Sequence, residues 1–297
     1  MRDKKRSVSM LTITEELKEI YLNKIETKNL RVGVIGMGYV GLPLAVEFAK
    51  YGLKVVGIDL NEQKVSSLNQ GKSHILDVPD YEVNQLVENR NLLATSDFSI
   101  ISELDALSIC VPTPLNENQE PDTSYIEATV KEIVRYQEKP LLVVLESTTY
   151  PGTTRELIAG TFEKNGLVLD QDYYLCFSPE RVDPGNKNYQ TKQIPKVIGG
   201  LSENSTHIGQ ALYEKVIDAV VPVSSPETAE MSKLLENTFR SVNIAFVNEM
   251  ALMCDRMGID IWETIDAAAT KPFGYMPFYP GPGVGGHCIP LDPMYLY

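Results

Sequence analysis

The sequence of 297 residues is poor in the residues that mark secreted, metal-binding and membrane proteins. It contains 4 cysteines scattered along the chain, 3 histidines far apart from one another, and no CxxC pair. Such sparse cysteines argue against a disulfide framework and predict reduced thiols in a cytoplasmic protein. No apolar run approaches the roughly 18 residues of a membrane span, and the N-terminus lacks the apolar stretch of a signal peptide. We therefore expect no bound metal, no membrane segment and no cleaved leader.

Basic residues are also fewer than acidic residues. The chain has 27 Lys and Arg against 40 Asp and Glu, a formal net charge of −13. Such an acidic chain repels phosphate backbones and anionic lipids, so we expect neither a nucleic-acid nor a membrane partner. Hydrophobic residues make up 43% of the chain and charged residues 23%, which is typical of a globular protein. The length predicts about two domains.

Short apolar runs alternate with helical patterns along most of the chain. The predicted strands are residues 31–35, 54–58, 106–111, 141–145, 173–177, 196–198 and 219–223. Helical patterns at about 40–51, 124–136 and 153–164 lie between several of these runs. This alternation predicts an α/β fold with a Rossmann-type, doubly wound, parallel sheet.

The chain divides in texture into three stretches. Residues 1–29 predict a helical leader, whose apolar side consists of Leu11, Ile13, Leu17, Ile20 and Ile25. Residues 30–224 carry the sheet pattern. Residues 225–297 predict a helical domain built on one long helix over 227–257, which contains no Gly or Pro and ends at Gly258, with a shorter helix at about 261–269. The long helix is apolar on several sides, so we expect it to be buried between bodies.

Three glycines form a phosphate-binding pattern. Gly36, Gly38 and Gly41 make a GxGxxG between the first strand and the first helix of the sheet domain, with Tyr39 and Val40 inside it, and Asp59 follows at the end of the next strand. This is the context of a dinucleotide-binding turn, in which the backbone and the helix N-terminus hold the pyrophosphate. A carboxylate at Asp59 accepts hydrogen bonds from ribose hydroxyls and repels a 2′-phosphate, which favours NAD over NADP.

Hydroxyl and proline residues follow two further strands. Pro112 and Thr113 come after one strand, and Ser147 and Thr148 come after another. Open α/β sheets bind ligands at the carboxyl ends of their strands, so these residues are candidates for contact with cofactor or substrate. Ordinary turn chemistry accounts for them equally well.

Candidate chemical residues lie in the last third of the chain. Lys233 and Asn237 share one face of the long helix, and Arg240 lies about one turn further on. A lysine there is either paired and functional or extends along the helix edge into solvent. Cys288, flanked by glycines and followed by Asp292, is a candidate nucleophile. The other three cysteines, at 110, 176 and 254, lie in or beside apolar runs and are expected to be small buried hydrophobes.

Six motifs in order give the chain a family resemblance. They are GVIGMGYVGLPLA, VPTPL, ESTTYPGTT, SPERVDPGN, KLLENTFRSVNIAFVNE and PFYPGPGVGGHCIPLDP. From about Leu30 onward the chain resembles the UDP-glucose/GDP-mannose dehydrogenase family, and within it the bacterial branch that oxidises UDP-N-acetylglucosamine. The resemblance implies an NAD-dependent, four-electron oxidation of a sugar C6 hydroxyl to a carboxylate.

The resemblance also implies roles for particular residues. Cys288 is the nucleophile that forms a thiohemiacetal and then a thioester, Lys233 and Asn237 stabilise the oxyanion, Asp292 and Thr148 hold a water, and Glu180 activates the hydrolytic water. The residues implied in substrate binding are Glu180, Arg181, Lys233, Asn237, Arg240, Phe278, Tyr279 and Gly285.

Family members continue past the cysteine motif into a UDP-binding domain, and this sequence stops at Tyr297. We therefore expect the chain to be truncated, to bind NAD and to turn over a UDP-sugar poorly or not at all. The resemblance also implies a homodimer through the long helix, whose apolar residues are Leu234, Leu235, Phe239, Val242, Phe246 and Met250. Two alternatives remain open: a two-electron dehydrogenase of the 6-phosphogluconate or 3-hydroxyacid type, and an inactive NAD-binding fragment.

Overall fold

The computed structural model describes residues 2–116, 121–181, 191–285 and 289–296, with side chains from residue 14 onward. The chain forms two compact units. The first consists of residues 1–114 and 122–231, and the second of residues 115–121 and 232–297.

The first unit is built on one sheet. Its strands are β1 (Arg31–Ile35), β2 (Lys54–Ile58), β3 (Leu92–Thr95), β4 (Ala106–Ile109), β5 (Leu141–Leu145), β6 (Tyr173–Phe177), β7 (Lys196–Gly200) and β8 (Val220–Val223). In space they follow the order β3-β2-β1-β4-β5-β6-β7-β8. Neighbours are parallel except β6 and β7, which are antiparallel. The order of the first six strands is that of the doubly wound dinucleotide-binding fold, as the sequence predicted.

Helices precede and follow the strands. They are α1 (Arg2–Glu26), α2 (Gly41–Tyr51), α3 (Glu62–Asn69), α4 (Asp80–Glu88), α5 (Ser124–Tyr136), α6 (Gly160–Lys164), α7 (Glu203–Tyr213), α8 (Pro226–Met257) and α9 (Ile261–Ala269). A π-helical segment, Thr154–Ala159, leads into α6, and 3₁₀ turns cover Phe98–Glu103, Thr191–Gln193 and Asp292–Leu296. In α8 the chain passes from the first unit into the second.

Two hydrophobic cores cover the two faces of the sheet. Along β5, Leu142 and Val144 pack into one core, whereas Leu141, Val143 and Leu145 pack into the other. All five residues are buried, which is why the strand reads as an unbroken apolar run. Helices on both faces exclude water from the sheet and leave the strand ends as the place for a ligand.

The N-terminal helix α1 packs on the first unit. Tyr21 and Ile25 are buried, and the Tyr21 hydroxyl donates to the carbonyl oxygens of Asp105 and Pro140, at 3.1 and 2.5 Å. Ile20, which we predicted on the apolar side, is 49% exposed, so that assignment is wrong. Adjacent helical positions are separated by about 100°, so Ile20 points away once Tyr21 faces the core. The side chains of Leu11 and Ile13 lie outside the description.

The structure corrects two further expectations. Strand β3 was not predicted, because its run is only four residues long and Leu93 is 53% exposed. The predicted burial of α8 is wrong for one side of the helix, where Leu235, Phe239, Val242 and Phe246 are all exposed. Leu234, expected on the same surface, is fully buried.

No helix in the described part of the chain has the length and apolar character needed to cross a membrane.

Candidate functional site

The glycine turn between β1 and α2 requires glycine at two positions. Gly36 has φ +90°, and a Cβ there would lie 2.5 Å from the carbonyl oxygen of Cys110. A Cβ on Gly41 would lie 1.9 Å from the carbonyl oxygen of Gly36. Gly36 therefore makes the sharp turn beside β4, and Gly41 lets the start of α2 pack against that turn.

Gly38 serves a different purpose. A Cβ at Gly38 would meet nothing within 4 Å, so the chain itself does not demand glycine there. Beside it, Tyr39 is 58% exposed, and Val40, at the N-cap of α2, offers no side-chain cap. Open space in front of a helix N-terminus, with its N–H groups and partial positive charge, fits a pyrophosphate.

Asp59 lies directly after β2, beside the glycine turn. Its Oδ1 accepts from the Asn61 N–H at 2.9 Å, and its Oδ2 accepts from the Met37 N–H at 3.0 Å. The Lys64 ammonium is 3.5 Å from the same Oδ2. The sequence analysis missed Lys64, although a cation five residues after Asp59, in the first turn of the next helix, was a usable signal. The carboxylate is therefore held in one orientation where an adenosine ribose is expected.

The segments after β4 and β5 are joined by side-chain hydrogen bonds. The Ser147 hydroxyl donates to the carbonyl oxygen of Val111 at 2.7 Å, and the Thr113 hydroxyl donates to that of Thr148 at 2.7 Å. Pro112 is exposed beside them. The hydroxyl protons of Ser147 and Thr113 therefore join the two loops, so these hydroxyls are not positioned as donors to a ligand.

A buried polar cluster that the sequence analysis missed lies beneath these loops. Glu146 accepts from the Lys196 ammonium at 2.5 Å and from the Tyr213 hydroxyl, which also lies 3.1 Å from the Ser108 hydroxyl. Burial raises the pKa of Glu146 despite these partners. Burial on its own lowers the pKa of Lys196. The nearby carboxylates of Glu146 and Glu180 raise this pKa by more than burial lowers it, so the net shift is upward. Local patterns carry no sign of this cluster, because its members are far apart in sequence.

Glu180 and Arg181 follow β6. One Glu180 oxygen accepts from the Arg181 N–H at 2.8 Å, and the other is 3.8 Å from the Lys196 ammonium. The Arg181 guanidinium donates to the carbonyl oxygen of Pro195 at 2.9 Å. A cavity of about 20 Å³ is lined by residues that include Glu180, Arg181 and Lys196. That volume is enough for about one water molecule.

A second buried carboxylate was also missed. Glu230, in the first turns of α8, is 1% exposed and accepts from the N–H groups of Gly152 and Thr154 and from the Thr154 hydroxyl, at 2.6, 2.9 and 2.7 Å. Burial raises its pKa, and these hydrogen bonds oppose the shift. Glu230 therefore attaches the loop after β5, and with it Thr148, to the start of α8.

The second unit brings three of the predicted catalytic residues together. The Asn237 amide donates to Asp292 Oδ2 at 2.5 Å. Lys233, one turn earlier on α8, is 6% exposed, and Asp292 is 1% exposed. Burial raises the pKa of Asp292, whereas the Asn237 hydrogen bond and the Lys233 charge act in the opposite direction. The side chain of Lys233 does not extend along the helix edge into solvent, so this one of the two interpretations from the sequence is excluded.

The segment after α9 carries the remaining candidates. Phe278 packs edge-on against Phe239 with ring centroids 5.8 Å apart, and the Tyr279 ring stacks on Trp262 at 5.8 Å. A cavity of about 470 Å³ beside them is lined by Phe239, Asn243, Phe246, Val247, Gly274, Tyr275, Met276 and Phe278. Gly285 has φ +63°, and Arg240 is exposed.

Cys288 lies outside the described residues. The other three cysteines, Cys110, Cys176 and Cys254, are buried free thiols, as predicted. Burial raises the pKa of both Cys110 and Cys176, which makes each a poor nucleophile. Among the described residues, no group of three or more His, Cys, Asp or Glu side chains is arranged to hold a metal ion.

Comparison with known proteins gives two adjoining family matches. Residues 30–217 match the NAD binding domain of the UDP-glucose/GDP-mannose dehydrogenase family, and residues 227–297 match the central domain of that family. The first match identifies residues 30–217 as an NAD binding domain.

Individual relatives agree with these matches. The chain is 40% identical over 271 residues to a UDP-N-acetyl-D-glucosamine 6-dehydrogenase of Pseudomonas aeruginosa, covering 91% of this chain and 63% of the relative. It is 38% identical over 281 residues to an NDP-N-acetyl-D-galactosaminuronic acid dehydrogenase of Ralstonia solanacearum, covering 92% of this chain and 65% of the relative. A solved structure of UDP-D-ManNAc dehydrogenase from Pyrococcus horikoshii superposes with a TM-score of 0.84 at 36% identity, covering 90% of this chain and 63% of that one. The chain thus spans a little under two thirds of the length of these relatives.

Proposed function

Since the chain belongs to the UDP-glucose/GDP-mannose dehydrogenase family, we propose that it carries out the NAD-dependent oxidation of the C6 hydroxyl of a UDP-sugar to the uronic acid. The observation that carries the proposal is the cluster of Lys233, Asn237 and Asp292. A buried ammonium and a buried carboxylate, bridged to a partly buried amide, are costly to fold. The same groups are suited to stabilising an oxyanion and moving a proton.

The cofactor is held by the first unit. The N–H groups around Gly38, Tyr39 and Val40 bind the pyrophosphate, and Asp59 accepts from the ribose hydroxyls. Other proposed contacts are Gly36, Gly41, Pro112, Thr113, Ser147 and Thr148. The open space at Gly38 and the fixed orientation of Asp59 support this assignment. Bound there, NAD would supply the hydride acceptor for both oxidations at C6.

The residues of the chain perform the rest of the chemistry. Asp292 and Thr148 hold a water that takes the C6 hydroxyl proton, and Lys233 and Asn237 stabilise the negative oxygen. The Cys288 thiolate adds to the aldehyde carbon to give a thiohemiacetal, and the second hydride loss converts this adduct into a thioester. Water activated by Glu180 then attacks the thioester carbon, which releases the uronic acid and regenerates the thiol.

The substrate proposed first is UDP-N-acetylglucosamine. The proposed sugar and phosphate contacts are Glu180, Arg181, Lys233, Asn237, Arg240, Phe278, Tyr279 and Gly285. Support comes from the names of the relatives, which include dehydrogenases of N-acetylated glucosamine, mannosamine and galactosaminuronic acid. Because the names of these relatives refer to different N-acetylated sugars, the assay below compares several UDP-sugars.

We propose that the chain assembles as a homodimer through α8. The exposed side chains of Leu235, Phe239, Val242 and Phe246 support this assembly, because an apolar helix face of this kind is typical of an interface. A cytoplasmic location is proposed as well, and it is supported by the free thiols of the three described cysteines.

A count of NADH at 340 nm tests the reaction. The chain receives excess NAD and a limiting amount of UDP-N-acetylglucosamine, with UDP-N-acetylmannosamine, UDP-N-acetylgalactosamine and UDP-glucose in parallel. We expect two NADH per molecule of one sugar and no more than one from a Cys288→Ser variant, because the second oxidation starts from the thiohemiacetal on Cys288. One NADH per sugar, unaffected by Cys288→Ser, indicates a two-electron dehydrogenase. Bound NAD without NADH from any sugar indicates an NAD-binding fragment.

A further inference from the structure

Lys196 at the start of β7 joins two carboxylates from different parts of the first unit. Its side chain is 6% exposed, and its ammonium lies 2.5 Å from Glu146 Oε2 and 3.8 Å from Glu180 Oε2. It also lies 3.5 Å from the carbonyl oxygen of Pro179. A single buried cation therefore contacts the loop after β5 and the loop after β6 at the same time.

The Glu146 side of this arrangement is rigid. Glu146 is 1% exposed, and its second oxygen accepts from the buried Tyr213 hydroxyl, which in turn lies against Ser108. Each member is fixed by at least one partner on another strand or helix. A buried network that is satisfied in this way has one arrangement of low free energy, so the Lys196 ammonium is fixed in position.

Glu180 is fixed from two directions. Its Oε1 accepts from the Arg181 N–H at 2.8 Å, and its Oε2 faces Lys196. Beside this pair is the cavity of about 20 Å³, large enough for about one water. A base that must accept a proton from a single water needs this kind of fixed orientation.

We infer that Lys196 is a positioning residue for hydrolysis, which orients the Glu180 carboxylate and its water, and that Glu146 is present to hold Lys196. The inference rests on the proposed function and extends it to residues that do not touch the substrate. In the hydrolytic step water gives its proton to Glu180, its oxygen bonds to the thioester carbon, and the carbon–sulfur bond breaks so that the sulfur leaves as the Cys288 thiolate.

Three variants and one control separate positioning from folding. Lys196→Met removes the cation, but it leaves Glu146 buried without it, which destabilises the fold. The double variant Lys196→Met with Glu146→Gln removes both charges and relieves that penalty. Lys196→Arg keeps the cation. Lys192→Met, at an exposed lysine of the same segment, is the matched control.

The assay follows NADH formation after rapid mixing with NAD and UDP-sugar, together with thermal unfolding of each variant. For Lys196→Met we expect a fast burst of about two NADH per chain and then a steady rate about tenfold or more below that of the unsubstituted chain, because the thioester accumulates. Mass spectrometry of the quenched protein should detect that adduct. The double variant should regain thermal stability but stay slow, whereas Lys196→Arg and Lys192→Met should turn over at near the normal rate.

Two results contradict the inference that Lys196 is a positioning residue. If the double variant regains both thermal stability and the normal rate of turnover, the role of Lys196 is structural only. If Lys196→Met shows neither a burst of NADH nor a slow phase, the inference is wrong. Absence of NADH from the unsubstituted chain contradicts the proposed function, a result separate from either of these.

Discussion

Gly36 and Gly38 lie two positions apart in one turn, but the chain constrains them differently. Alanine at Gly36 must adopt φ +90° and meet the Cys110 carbonyl oxygen at 2.5 Å. We expect Gly36→Ala to lower the free energy of unfolding by about 1–3 kcal/mol and to abolish NAD binding. Denaturant titration and NAD titration of the purified variant measure the two effects.

Gly38→Ala should separate binding from folding. Its Cβ meets nothing of the chain within 4 Å, so the free energy of unfolding should stay within about 0.5 kcal/mol. Because the added methyl group projects where we place the pyrophosphate, the Kd for NAD should rise about tenfold or more. Unchanged NAD affinity in this variant contradicts the proposed cofactor position.

Asp292 makes stability depend on pH. Burial raises the pKa of Asp292, so between its ordinary and its raised value the folded chain binds more protons than the unfolded chain. Its contribution to stability therefore falls as pH rises through that window and stays unfavourable above it. Asp292→Asn should be more stable than the unsubstituted chain at pH 7, and the difference should shrink as pH falls through the raised pKa. Denaturant titrations across this range measure the difference, and a constant difference at every pH contradicts the prediction.

Glu230 connects two elements, and removing it should affect both. In Glu230→Ala the N–H groups of Gly152 and Thr154 lose their acceptor inside the protein. We expect a loss of about 2–5 kcal/mol, measured by denaturant unfolding. Glu227→Ala on the same helix is the control, because its ion pair with Arg155 is half-exposed and should contribute less than about 1 kcal/mol. Equal losses in the two variants contradict the assignment.

Helix α1 shows what the periodicity of apolar residues can predict about a helix and what it cannot. The sequence predicted a helix there and placed Leu17 and Ile25 correctly near the core, because residues four or eight apart share a face. It misplaced Ile20, because a helix with apolar residues on several sides fits more than one orientation. The tyrosine hydrogen bonds to Asp105 and Pro140 select the observed one, and they are long-range contacts that no local pattern contains.

At the strands and the candidate site, too, local sequence patterns predict some features, whereas long-range contacts determine the others. Strands β1, β2, β5 and β6 were predicted with their observed bounds, since burial on both faces gives continuous apolar runs. The glycine turn and Asp59 could be recognised because a dinucleotide imposes a fixed spacing. Lys196 and Glu230 could not be recognised, because Glu146 lies 50 residues from Lys196, and the partners of Glu230 lie 76 and 78 residues from it.

At the scale of the whole molecule, the exposed apolar face of α8 is the surface through which we propose that two copies of the chain associate. Val242 is 61% exposed and lies between the exposed Phe239 and Phe246 on this helix. A stable homodimer buries roughly 1,200–2,000 Å² of surface in total, with an apolar centre. A charge in that centre loses its water without gaining a partner, which costs several kcal/mol.

We therefore expect the unsubstituted chain to sediment as a dimer and Val242→Asp to sediment as a monomer with unchanged circular dichroism. Leu76→Asp is the control, because Leu76 is 96% exposed on the first unit and lies outside the proposed interface. It should remain dimeric and thereby exclude net charge as the cause. Sedimentation equilibrium over a range of concentrations decides the matter: a monomeric unsubstituted chain, or a Val242→Asp variant that still dimerises, removes α8 as the interface.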